Sequence, residues 1–243
     1  AIICGHCPTS AITGAWQNVD DIHDNMLYFL ENHDEQRIAS DFFAGDARRA
    51  FPAFVTNILM RQNPFMLYAG QEYGERGMDK EGFSGCDGRT TIFDYWTVGT
   101  LHRAFVEGKS TEEESALERC YSEIMNIAIG EKAIANGVFF DLMYVNPQLG
   151  EKQYAFLRKA DKELLLVVTN FSAEKAYCKI NVPEHAFDFL QIPYDKANAK
   201  DLLSEKTLSI DFSSNHCINT EVEGFGCTIL KFEFNMENEI VFN

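Results

Sequence analysis

At 243 residues, with 46% hydrophobic and 24% charged side chains, the chain has the composition of an ordinary globular protein, long enough for one large domain or two smaller ones. A formal net charge of -16 repels nucleic acid and anionic membranes and argues against both as partners, whereas a neutral ligand such as a sugar does not feel it. No run of about 18 apolar residues occurs, so no membrane span is expected. The stretch from Ala1 to Cys7 lacks the charged segment and apolar run of a secretion signal, so no export address is expected within it, and the compartment stays open.

Seven cysteines, an odd set in a chain of this size, point to mostly free thiols. Cys4-Gly5-His6-Cys7 is a tetrapeptide that disulfide oxidoreductases use, but they hold it at the start of a helix that follows a strand. Here Pro8-Thr9-Ser10 follows and no thioredoxin-like pattern comes next. A zinc site would need two further ligands, and no second cysteine pair has ligand spacing. No metal or cofactor is expected in this chain.

Residues 26 to 31 are a short apolar run without alternation, as expected for a parallel strand covered on both faces. Phe51, Phe54, Val55, Ile58 and Leu59 then share one face of an amphipathic helix that Pro52 starts or kinks and that ends near Gln62. Residues 64 to 69 form a second apolar run closed by Gly70, completing the order strand, helix, strand. Residues 74 to 110, rich in Gly and polar groups, read as a long loop. Thr111 and Glu114 form a capping box, and Leu117, Tyr121, Ile124 and Ala128 give the face of a helix ending near Gly130 or running on raggedly to Ala135.

After Gly137 the period changes to two. Strands are expected at 139–145, 154–159, 164–171, 177–182, 207–212 and 228–234, separated by turns such as Ala160-Asp161-Lys162, which together indicate an antiparallel β-sandwich. The boundary falls near Asn136 and Gly137, giving units 1–136 and 137–243.

Asn32-His33-Asp34 lies just past the end of the first expected strand, where barrel and doubly wound enzymes place working side chains. A carboxylate beside an imidazole can grip adjacent sugar hydroxyls and favour the positive charge that develops in glycosidic cleavage. The same tripeptide also suits a plain turn in which Asn32 and Asp34 satisfy backbone groups.

The stretch from Phe29 to Arg37 resembles the fourth sequence region of the α-amylase family of glycoside hydrolases. Ala69-Gly70-Gln71-Glu72-Tyr73-Gly74-Glu75 resembles that family's segment after barrel strand eight, and Ala11 to Gln17 the stretch leading into strand seven. Ile92 to Trp96, the helix around Tyr121 to Ile129, Tyr154 to Arg158 and Val167 to Ser172 follow in the family's order. The resemblance implies the last strands and helices of a (β/α)8 TIM barrel followed by a C-terminal β-sandwich. It implies that Asp34 stabilises the transition state, that His33 assists it, and that Asn32, Arg37 and Tyr73 contact substrate, an α-glucan or maltooligosaccharide. For Arg37 an ion pair to Asp34 or Glu72 is the alternative to substrate contact, and Gln71 and Glu72 are expected to shape the loop. Tyr73, Tyr95 and Trp96 are candidates for sugar stacking, packing against the barrel being the alternative.

A retaining mechanism needs a nucleophile and an acid about 5 to 5.5 Å apart, and none of the 31 residues before Asn32 resembles the family regions that supply them. The chain alone is therefore expected to be inactive. Calcium is a possibility only for the complete parent protein. A glucanotransferase or isomerase parent, or a non-catalytic module that binds sugar or another subunit, are the alternatives. An incomplete barrel also leaves strand edges and apolar faces open to self-association.

Overall fold

The computed structural model describes residues 1–80, 86–93 and 96–234. Helix α1 (Ala11–Gln17) opens the chain and leans on the core through Ile12 and Trp16. Strand β1 (Tyr28–Phe29) and strand β2 (Phe65–Met66) pair in parallel, Tyr28 opposite Phe65. The expected six-residue strands are thus reduced to two residues each. Nor is β1 covered on both faces: Phe29 is 44% exposed and Leu27, just before the strand, 48%, because each strand has a single partner among the described residues.

Between them runs α2 (Phe51–Met60), with Pro52 in its first turn, where a missing N–H costs nothing. Its expected face is the buried one: Phe54, Val55 and Leu59 are fully enclosed, and Phe51 and Ile58 pack at the margin. Among the described residues of the long connection before the next helix there is an unforeseen helical turn, α3 (Gly99–His102), continued as a π turn through Glu107. Helix α4 (Glu112–Gly130) starts at the expected capping box, with the Glu114 N–H donating to Thr111 Oγ1 (3.1 Å) and the Thr111 N–H to Glu114 Oε2 (2.8 Å). A separate turn, α5 (Lys132–Ala135), follows it.

The remainder is a mixture of antiparallel strands and one helix. Strands β3 (Val138–Asp141), β4 (Gln153–Ala160), β5 (Glu163–Asn170), β6 (Ala176–Asn181), β7 (Lys196–Asp201), β8 (Thr207–Asp211), β9 (Cys217–Val222) and β10 (Cys227–Phe234) form two sheets. The larger has the order β3-β4-β5-β10-β7-β8, and the smaller pairs β6 with β9. Every residue from Leu164 to Asn170 is buried, so β5 is covered on both faces, with β9 and the helices α2 and α5 all packed against it. Strands β7 and β9 and helix α6 (Glu184–Leu190) were not expected from the sequence.

One continuous core runs from α2 and α4 into both sheets. Arg158 of β4, 1% exposed, donates to the carbonyls of Met60 at the end of α2, Ala133 (2.9 Å) and Ile134 (2.7 Å). Asp141 Oδ2 accepts from Thr13 (2.7 Å) and Trp16 (3.0 Å) of α1 and from Tyr154 (2.6 Å). All seven cysteines are free thiols. No helix among the described residues is long and apolar enough to cross a membrane.

Candidate active site

The end of β1 leads directly into Glu31 and Asn32-His33-Asp34. Asn32, partly buried, turns its Oδ1 back onto the chain, accepting from the N–H groups of Asp34 (2.9 Å) and Glu35 (3.0 Å). This is the turn geometry that Asn favours, and it makes Asn32 the brace of the loop. His33 and Asp34 are thereby held outward, the side chains 41% and 72% exposed, with His33 Nε2 3.5 Å from Asp34 Oδ1. An imidazole and a carboxylate side by side, both open to solvent, can accept from and donate to neighbouring hydroxyls.

The loop is fixed from beneath by Arg37, and here the sequence expectation needs correcting. Arg37 is 1% exposed and pairs with Glu31, not with Asp34 or Glu72. It lies too deep for substrate contact. Its Nη1 donates to Glu31 Oε2 (2.9 Å), its Nε and Nη2 to Thr90 Oγ1 (3.0 and 2.7 Å), and Nη2 also to the Ala69 carbonyl (2.7 Å). The Tyr68 ring stacks on the guanidinium at 3.9 Å. Glu31 Oε1 accepts the Ile38 N–H (2.7 Å), so one buried pair joins the ends of β1 and β2 to the segment around Thr90. Burial pushes the Glu31 carboxyl up, against the pull of Arg37 and the Ile38 N–H. Gly88 completes the clamp at φ +81°, where a Cβ would strike Ser40 Oγ at 2.7 Å, and its carbonyl accepts the Arg37 N–H.

Beyond β2, burial raises the Glu72 carboxyl, while its Oε2 accepts the Gly70 N–H (3.0 Å), a loop-shaping contact. Buried Gln71 donates to Tyr121 Oη (3.2 Å). Tyr73 is not brought beside Asp34: its ring meets Phe105 edge-on at 5.9 Å, and it lines a separate groove with Arg76, Arg103 and Leu117. Burial would raise the Glu75 carboxyl, but Thr100 Oγ1 (2.6 Å), the Gly77 N–H (2.9 Å) and the Thr100 N–H (3.2 Å) outweigh it and hold the group below its ordinary range. Trp96 is 44% exposed, and Asp94 and Tyr95 lie outside the described residues. Among the described residues no three His, Cys, Asp or Glu side chains converge as a metal site.

Sequence reasoning missed Glu31, Tyr68 and Thr90. A signal existed for the first: Glu31 is the one charge in an apolar run, and a buried carboxylate requires a partner.

No family model and no curated protein matches the sequence. Solved structures do match the fold. An AmyP variant in complex with maltotriose superposes with a TM-score of 0.69 at 18% identity, over 94% of this chain and 45% of that one. The α-amylase of Geobacillus thermoleovorans complexed with acarbose gives 0.66 at 15% identity, over 94% and 44%. The chain shares the fold of part of an α-amylase. A trehalulose synthase mutant in complex with Tris extends the likeness to another activity, at a TM-score of 0.58 and 18% identity over 93% of this chain and 47% of that one. This chain therefore spans less than half the length of the α-amylase-fold proteins it matches, and the shared fold bears out the family resemblance drawn from the sequence.

Proposed function

We propose that this chain is part of a retaining glycoside hydrolase of α-amylase type, acting on α-glucans or maltooligosaccharides, and that it supplies Asp34 and His33 to the reacting sugar. In this reading β1, α2 and β2 belong to the end of a (β/α)8 barrel, residues 1–136 are its barrel part, and residues 137–243 are the C-terminal β-domain. Asp34 binds the hydroxyls of the reacting glucose and stabilises the cationic transition state, while His33 donates to a neighbouring hydroxyl. Asn32 and Arg37 hold the loop rather than the sugar. The nucleophile and the general acid come from polypeptide that this chain does not contain.

One observation carries the reading: the two side chains are presented together at the end of a parallel strand, on a loop pinned from below by a buried ion pair. Placement at the strand's C-terminal end is the position from which barrels work. Support also comes from neighbours whose own names mention α-amylase, maltotriose and acarbose.

The pure chain is expected to show no steady hydrolysis of α-1,4-glucans, and sustained release of reducing ends would overturn the proposal. Joined to a barrel half that carries the other two acids, the Asp34→Asn variant is expected to lose roughly a hundredfold or more in kcat. An unchanged kcat would remove Asp34 from the chemistry.

A second reading has an observation of its own. Leu27 just before β1, Phe29 on it, and Phe42 and Phe43 on the following loop are all more than 40% exposed, and such a surface favours association with another chain or a second copy. Light scattering over a concentration series tests it: a constant monomer mass excludes self-association.

A further inference from the structure

We propose that the groove between α1 and α6 binds a neutral oligosaccharide at a site separate from the Asn32-His33-Asp34 loop. The groove has a volume of about 930 Å³ and lies where α1, the end of α2, β3 and α6 meet. Small-molecule sites reach that size. No residue of the Asp34 loop lines it.

Its two sides differ in chemistry. On one, Phe140 of β3 meets two further rings of the lining, Phe189 with its centroid at 5.9 Å and His185 at 5.8 Å. Phe189 is 63% exposed. Helix α6 is already anchored by Ala186, Phe187 and Leu190, so the outward Phe189 is not needed for its packing. Asp188 stands exposed beside it at the rim. On the other side, Arg61 lies over the rings of Phe139 (4.7 Å) and Trp16 (5.2 Å) and is held by Asp20 at 2.7 Å. A planar guanidinium and a half-exposed carboxylate are thus fixed in the groove.

Charge selects among ligands. Three lining carboxylates, Asp20, Asp141 and Asp188, face two guanidiniums, Arg61 and Arg158. The near balance, in a chain of net charge -16, favours neither anion nor cation. Asp141 accepts four hydrogen bonds and Arg158 donates three within the chain, which commits both to the wall, while Asp20, Arg61 and Asp188 keep more donors and acceptors to spare. Aromatic faces for sugar C–H surfaces beside fixed planar hydrogen-bonding groups suit a pyranose oligomer. Only the choice of an α-1,4-glucan as first probe rests on the function proposed above.

The test is a titration of the intact chain, followed by amide NMR, with maltoheptaose and with cellohexaose. Shifts are expected at residues 138–141 and 185–189, with affinity falling at least about fivefold in Phe189→Ala and retained in Phe189→Tyr. Response to cellohexaose alone keeps the groove and removes the α-glucan reading. Shifts confined to residues 32–37 support the Asp34 site and overturn the groove, as does silence toward both sugars or an unchanged affinity in Phe189→Ala.

Discussion

Arg37 and Glu31 are buried together under the loop that presents Asp34, and their shared loss of solvation decides what substitution does. Arg37→Met leaves a carboxylate 3% exposed without its counter-charge, an arrangement that costs about 3 to 5 kcal/mol. Urea unfolding should show that loss, and the double variant Arg37→Met with Glu31→Leu should recover most of it; equal loss in both would mean that the pair is not the clamp. Glu75 gives a pH signature. Its folded-state carboxyl lies below the ordinary range, so it adds stability that is fully present above the ordinary glutamate value of about 4.3 and is lost as pH falls through the lower folded value. Glu75→Gln should therefore be less stable than the parent at pH 7, with the gap narrowing toward pH 3 in thermal melts. A constant gap would refute the assignment. The sequence displayed His33 and Asp34 as candidates because their exposure follows from position alone, just past an apolar run. It hid the partner of Arg37 because a six-residue separation shows nothing about which carboxylate the guanidinium turns toward.

The elements divide by how strongly their pattern departs from the background. Helix α2 was legible because five apolar residues fall on one face, and β4, β5 and β10 because β-branched and aromatic residues crowd them. Strand β7 alternates buried and exposed as faithfully as any, yet its inward residues are Ala197, Ala199 and Asp201, too small or too polar to register as an apolar face. Strand β1 erred in the other direction: an apolar run fixes the tendency to extend, but length depends on neighbours, and β1 has one among the described residues. The capping box of α4 was read from four residues because its two bonds are local. Thr111→Ala removes one of them and should destabilise the chain by about 1 kcal/mol, with Thr111→Ser near neutral, measured by chemical denaturation. A loss below a few tenths of a kcal/mol would place the start of α4 under the control of the Arg103 to Glu114 ion pair.

At the scale of the molecule, the change of sequence period at Gly137 divides the chain by pattern but not by packing. The core passes through that point without a gap, Thr56 of α2 meets Thr169 of β5 at 3.2 Å, and Asp141 of β3 collects donors from α1. Arg158, 1% exposed, is another of these ties. Burial lowers its pKa to about 10, so it stays protonated at neutral pH, and it faces three main-chain carbonyls instead of a carboxylate. Two of those carbonyls belong to α5 and the third ends α2, so a single side chain of the sheet closes helix ends contributed by the other half. Arg158→Met keeps the stem and removes the donors, leaving three buried acceptors at about 1 kcal/mol or more each. If the two halves fold as one unit, calorimetry of the parent shows one endotherm, and the variant moves that whole endotherm down without splitting it. Two transitions in the parent, or a shift confined to one of two in the variant, would mean that residues 1–136 and 137–243 are separate units and that the buried contacts between them contribute little.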